Sequence, residues 1–297
     1  GYEVASIPKF SEIAKAVQGE GSRLFGQILH LGRHIDGNFA RMASWSASSI
    51  PWTATAPAPH PMTENEIKLV IGAHADVAAN LLEAGLDGIE LQLAHGHLLQ
   101  QFLSPVANER GDKYGGNLEN RMRIVMETAI AVRQMIGADR TMGVRISADE
   151  FLQGGLTLND MCTVVLKLAS AVQLDFVNVS HSAYHGSYTI STQIADMAFS
   201  NQQFRYLTEA ISTNLDGLER KPVIMSVCRY NSVELAEDML ATEKADMIGM
   251  ARAHVADPDL VNKAYFGNIE DTIPCIGCNQ GCADMLCLLY TSDAADD

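Results

Sequence analysis

The sequence predicts an α/β fold of the (β/α)8 TIM-barrel class, and three observations carry that prediction. Short apolar runs alternate with amphipathic helical patterns along nearly the whole chain. The runs are rich in Ile, Val, Leu and Met, as strands of a parallel sheet covered on both faces are. Polar, chemically active residues follow each run at once, on the rim where the sites of such barrels gather. A doubly wound open sheet accounts for the first two observations equally well; the third separates them.

The elements follow in order. A helical pattern over 10–18 precedes the apolar run 24–29, at whose end stand His30 and Arg33. A helical pattern over 64–84 leads to the run 88–93, followed by His95 and His97. The pattern over 118–136 leads to the run 141–146, with Arg145 and Ser147 at its end, and 158–169 leads to 176–179, followed by His181. The patterns 202–214 and 233–241 precede the runs 222–227 and 247–250, which are followed by Arg229 and Arg252; a last helical pattern covers 259–266. Such alternation implies right-handed crossovers between parallel strands. Only six strands are counted, where a closed barrel needs eight, so this reading places two strands and a helix upstream of Gly1.

Length and composition bound the function. The 297 residues, 47% of them hydrophobic, suffice for one barrel domain with a large core. A formal charge of -15 argues against a nucleic-acid partner, which requires clustered Lys and Arg. No run of about 18 apolar residues indicates a membrane span. Of the six cysteines, Cys162 and Cys228 are isolated, whereas Cys275, Cys278, Cys282 and Cys287 crowd the end. In a chain of this size that grouping suggests metal or cluster ligands in a reducing, cytoplasmic compartment rather than a disulfide scaffold. Residues 287–297 differ in composition from what precedes them and resemble the translation of a sequencing adapter, so they are set aside.

The densest motif runs from Ala84 through Asp87-Gly-Ile-Glu-Leu-Gln-Leu-Ala-His95-Gly-His97 to Pro105, and is followed by NERGDKYGGNLENR from Asn108 to Arg121. This stretch resembles the Old Yellow Enzyme family, and the resemblance extends from about Ile7 to Leu286. It implies an FMN-binding barrel over 1–273 that transfers hydride between a small-molecule substrate and flavin N5. Gln27 resembles the family residue that hydrogen-bonds the flavin pyrimidine. Arg145 resembles the Arg beside flavin N1 and O2, where a fixed cation stabilises the reduced ring. Cys228, Arg229, Gly249, Ala251 and Arg252 fall in the two strand-end motifs that hold the FMN phosphate. Arg110, Asp112, Glu119 and Arg121 read as ion pairs holding the loop. His30 reads equally well as a buried, hydrogen-bonded histidine.

Departures from the family pattern carry the substrate reading. Gln92 and His95 occupy the substrate-binding pair, and Gln92 stands where ene-reductases usually carry His. The proton-donating Tyr that follows is replaced by His97. A phenol near pKa 10 and an imidazole near 6.5 are different proton sources, and His97 serves equally as acid, base or carboxylate-binding imidazolium. His181, Tyr184 and His185 are expected to line the substrate pocket. Cys275-Ile-Gly-Cys278-Asn-Gln-Gly-Cys282 resembles the [4Fe–4S] motif of the multidomain branch that includes dienoyl-CoA reductases and trimethylamine dehydrogenase. Residues 274–286 are therefore expected to begin a cluster segment, with Cys287 too early to be the fourth ligand, and with NAD(P)H and FAD bound by further domains of a longer parent. The expected reaction is oxidative demethylation of an N-methylated amino acid or amine, with electrons relayed through the cluster. The alternative is NAD(P)H-dependent reduction of a 2,4-dienoyl-CoA or enone, and a remote one is a metal-dependent barrel hydrolase using His95 and His97. Homo-oligomerisation is left open.

Overall fold

The computed structural model describes residues 2–35, 42–184 and 188–284. Its strands are β1 (Phe25–Ile28), β2 (Trp45–Ser46), β3 (His60–Pro61), β4 (Gly88–Leu93), β5 (Thr141–Ser147), β6 (Phe176–Ser180), β7 (Val223–Val227) and β8 (Met247–Gly249). Six of them form one parallel sheet in the order β1-β4-β5-β6-β7-β8, and β2 and β3 pair separately. The order never reverses, as it does at the switch point of a doubly wound sheet. It is the singly wound order of a (β/α)8 barrel, of which these six strands are a part.

The sheet curls. The rings of Phe25 on β1 and Phe176 on β6 lie 5.6 Å apart with two strands between them, whereas a flat sheet separates such strands by roughly 14 Å. The curl places the alternate residues of each strand on one concave face. Gly143 is required at the lower end of that face, because a Cβ there would stand 2.4 Å from the Phe176 ring.

Helices cover the convex face, and their caps are written in the sequence. Thr63 and Glu66 form a capping box that starts the helix Glu64–Glu83, which buries Ile67, Val70, His74, Ala75, Ala78 and Leu81. Thr157 and Asp160 do the same for Leu158–Ala171. The single helix expected over 118–136 is divided at Met122 into Leu118–Arg121 and Arg123–Ile136. Three six-residue helices, Leu98–Leu103, Tyr188–Gln193 and Ala251–Ala256, were not anticipated, because so few residues do not establish a helical period. Among the described residues no helix is long and apolar enough to cross a membrane.

The loop between Asn108 and Arg121 is tied down as its charges suggest. Arg110 pairs with Asp112 and donates to the carbonyls of Ala47 and Met62. Arg121 Nε donates to Leu103 O at 2.7 Å, and Lys167 pairs with Glu119.

Candidate active site on the strand C-terminal rim

The register of the sheet assembles the site in layers. Gln92, Arg145, Asn178, Met225 and Met247 are successive partners across β4 to β8. One step below, Gln27 on β1 stands beside Glu90 on β4. Glu90 is buried, and its two oxygens accept from Gln27 Nε2 at 2.6 Å and Asn178 Nδ2 at 2.8 Å. Gln92 Nε2 lies 3.5 Å from Gln27 Oε1 and 3.3 Å from His95 Nδ1.

Above these layers opens a cavity of about 510 Å³ lined by His95, Arg145, Asn178, Cys228, Arg229 and Arg252, among others. Burial lowers the Arg145 guanidinium from its usual range, against which the nearby Glu90 carboxylate raises it. Burial pushes the Cys228 thiol up to about 11, although Arg252 and Arg229 oppose the shift. Cys228 and Arg229 both have positive φ, 89° and 60°, and strained non-glycine backbone of this kind clusters at ligand sites. Gly249 leaves room for the Val227 side chain, which an added Cβ would approach to 2.7 Å. Arg252 donates to Ala195 O at 2.8 Å and Asn279 Oδ1 at 2.7 Å, while Arg229 donates to Asp196 O and, at 3.0 Å, to Asn201 Oδ1. Ala251 also lines the cavity, whereas Gln27 is held beneath it by Glu90.

The residues fit a flavin nucleotide. Four lining residues carry a buried polar atom without a protein partner: Arg145 Nε, Asn178 Oδ1, Gln193 Oε1 and Arg229 Nε. Natural sites rarely leave such atoms unsatisfied, and a ligand rich in both donors and acceptors, carrying an anionic group for the arginines, satisfies them.

His95 forms part of the cavity wall, and its ring lies 6.3 Å from that of His97. His95 has φ +62° and its N–H donates to Ser147 Oγ at 3.0 Å. Because Gln92 Nε2 can only donate, His95 Nδ1 accepts and its Nε2–H donates to Ser180 Oγ at 2.8 Å. Burial, assisted by Arg145, His97 and His181, holds the His95 imidazole well below its ordinary range. Burial lowers His97 to about 4. Its ring meets those of His34 and Tyr184 at 5.5 and 6.2 Å, and Trp52 lies edge-on to His34 at 5.5 Å. His181 is placed behind the wall: it is stacked on Phe204 at 4.0 Å and its Nε2–H donates to Thr192 O at 2.9 Å. His30 proves to be a hydrogen-bonded histidine, its Nδ1 accepting from Gly32 N at 3.0 Å. His185 and Cys287 lie outside the described residues.

The three described cysteines of the terminal motif are not drawn to a common centre. Cys275 and Cys282 line the cavity, Cys278 is exposed, and among the described residues no three His, Cys, Asp or Glu side chains are arranged to hold a metal. Thiolates repel one another unless a cation lies between them, so such a set assembles with its metal. As placed here, the three side chains do not form a cluster site among the described residues. The remote hydrolase reading loses its ligand pair, since both ring nitrogens of His95 are engaged within the protein.

Glu90, Asn178, Ser180, His34 and Trp52 were not singled out from the sequence. For the strand residues a signal existed: Glu90 and Gln92, and Asn178 and Ser180, are polar residues at alternate positions of otherwise apolar strands. His34 and Trp52 lie outside any strand of the main sheet and carried no such signal.

Comparison with known proteins agrees with this geometry. The profile of the NADH:flavin oxidoreductase / NADH oxidase family matches residues 2–270. The chain is 35% identical to a metal reductase of Desulforamulus reducens over 94% of its own length and 40% of the relative's. It is 34% identical to an N,N-dimethylglycine/sarcosine dehydrogenase of Chromohalobacter salexigens, over 95% of this chain and 41% of that one. The structure of a 2-naphthoyl-CoA reductase in complex with 2-naphthoyl-CoA superposes with a TM-score of 0.86 at 26% identity, covering 94% of this chain and 43% of that one. The chain thus spans about two-fifths of the length of the curated relatives it matches.

Proposed function

The chain belongs to the NADH:flavin oxidoreductase / NADH oxidase family, and from that premise we propose that it carries the FMN site of an oxidoreductase acting on a small N-methylated amino acid or amine. Bound FMN would supply the hydride-accepting chemistry at its N5. Arg145 would stand against the ring as a fixed positive charge that favours the reduced form, and Arg229 and Arg252 would hold the phosphate through guanidinium forks. Cys228, Gly249 and Ala251 would form the backbone around that phosphate.

The feature that carries the substrate reading is His97 itself, set beside His95 and against the rings of His34 and Tyr184. Burial lowers its imidazole to about 4, so the imidazolium is disfavoured at pH 7, and the N–H of the neutral ring is a weaker proton source than a phenol. A neutral imidazole can instead accept a hydrogen bond or a proton from a substrate N–H. His95 and Gln92 would orient the substrate, and Tyr184, with His34 and Trp52, would wall off water beside it. His181 would support this wall from behind, and His185 is proposed to border the same pocket. The likeness to the dimethylglycine/sarcosine dehydrogenase agrees with this substrate class.

The second reading, NAD(P)H-dependent reduction of a dienoyl-CoA or enone, is favoured by the likeness to the naphthoyl-CoA reductase. Cys275, Cys278 and Cys282 are proposed on their motif to bind a [4Fe–4S] cluster; iron and sulfide analysis tests that, and no electron step is derived through them. The deciding experiment takes the full-length protein that contains this chain. Flavin absorption together with oxidation of sarcosine-type amines is the expected result. Dienoyl reduction without amine oxidation would overturn the substrate assignment, and a protein that takes up no flavin would overturn the cofactor.

A further inference from the structure

Glu90 and Asn178 form a pair whose geometry is specific. Asn178 on β6 is 5% exposed and Glu90 on β4 is 8% exposed. The two strands are not neighbours, and the side chains meet across β5 above Gly143, which has no side chain to intervene. A carboxylate oxygen only accepts, so both amides that reach Glu90 turn their nitrogens toward it and their oxygens away. The Gln27 oxygen finds Gln92 Nε2 at 3.5 Å. The Asn178 oxygen, buried on the cavity wall, finds no partner in the protein.

We infer that Asn178 is a cofactor-binding residue whose acceptor atom is aimed by Glu90: the carboxylate takes the amide N–H and leaves Oδ1 facing the cavity to accept a hydrogen bond from FMN. The inference rests on the proposal that FMN occupies this cavity. The donors that FMN offers are its ring N–H and its ribityl hydroxyls. Glu90 is a positioning residue here, since it touches Asn178 and not the ligand. Its substitution by Gln would place an amide against two amide nitrogens, and one of the three would have to turn over. Glu90→Gln should therefore weaken FMN binding through Asn178, even though removing a negative charge near Arg145 would by electrostatics alone tighten the binding of an anionic ligand.

The test is a fluorescence titration of the whole chain and its variants with FMN, and with lumiflavin, which lacks the ribityl arm. Asn178→Leu and Glu90→Gln are each expected to weaken FMN binding roughly tenfold, the scale of one buried hydrogen bond. The double variant is expected to be no weaker than the worse single one, because both act on the same bond. A loss shared by lumiflavin assigns the donor to the ring, and a loss confined to FMN assigns it to the ribityl arm. FMN binding by Asn178→Leu equal to that of the parent overturns the inference, as does unchanged or tighter binding by Glu90→Gln. If Asn178→Leu does not fold by circular dichroism, Asn178→Ser, which withdraws the acceptor from reach, replaces it with the same expectations. Failure of the unsubstituted chain to bind FMN overturns the cofactor proposal itself and the inference with it.

Discussion

At the scale of single residues, the proposed site sets imidazoles whose charged forms are disfavoured beside fixed cations. His95 and His97 are half-buried imidazoles whose charged forms are disfavoured chiefly by desolvation. Arg145 stays charged because guanidinium is so basic that burial does not remove its proton. The replacement of the family's Tyr by His97 is therefore a change of proton inventory. His97→Tyr restores a phenol whose pKa lies near 10. On the full-length protein it is expected to lower amine turnover about 100-fold, at the lower end of what general acid–base catalysis contributes, and to raise enone reduction. The check is kcat/KM for both substrates, and unchanged amine turnover would remove His97 from the chemistry.

At the scale of elements, the strands position the site through glycines and registers. Gly143 lets the Phe176 ring lie on β5, and the same gap lets Glu90 and Asn178 meet. Gly143→Ala would drive a Cβ to 2.4 Å from that ring. The neighbour is a stiff aromatic ring rather than a flexible chain end, so the expected loss is about 1–3 kcal/mol by urea unfolding. Phe176→Leu in the same chain is expected to recover part of it, and a loss unchanged in the double variant would place the strain elsewhere. The turn that carries His95 and His97 is held just as closely. Gly96 N–H donates to Gln100 Oε1 at 2.7 Å and its carbonyl accepts from Gln101 Nε2 at 2.6 Å. Buried Glu150 in turn accepts from Gln100 at 2.7 Å, so the turn is anchored to the segment after β5.

At the scale of the whole molecule, histidines wholly or partly withdrawn from water make folding depend on pH. His30, His97 and His181 are each lowered to about 4, whereas an unfolded imidazole titrates near 6.5. Between those values the unfolded chain binds more protons than the folded one, so stability falls as pH drops from about 6.5 to about 4. The 1% exposed His181 alone accounts for on the order of 3 kcal/mol of that loss. Glu150, whose carboxyl is raised by burial, acts in the opposite direction and offsets part of it. Urea midpoints across this range are expected to fall steadily toward acid. His181→Phe, which keeps a ring on Phe204, is expected to flatten the slope, and an unchanged slope would show that His181 is not its source.

The fold class was legible because burial on both faces leaves its mark locally: each strand of the parallel sheet is an apolar run, and each is followed by the rim residues. The arginines proposed for the cofactor, Arg145, Arg229 and Arg252, reach the rim for the same reason, since they stand at or just beyond strand ends. By itself the sequence determined the six strands of the main sheet and its longer helices, their parallel order and which residues reach the rim. Only the tertiary structure decided which of these share one space. It set His181 behind the wall, brought His34, with Trp52 edge-on to it, against His97, left the three cysteines without a common centre and joined Glu90 to Asn178 across β5. The physical reason is range. Period and cap are properties of neighbouring residues, whereas the curl of a sheet brings together atoms that are dozens of residues apart, and no local pattern records where they meet.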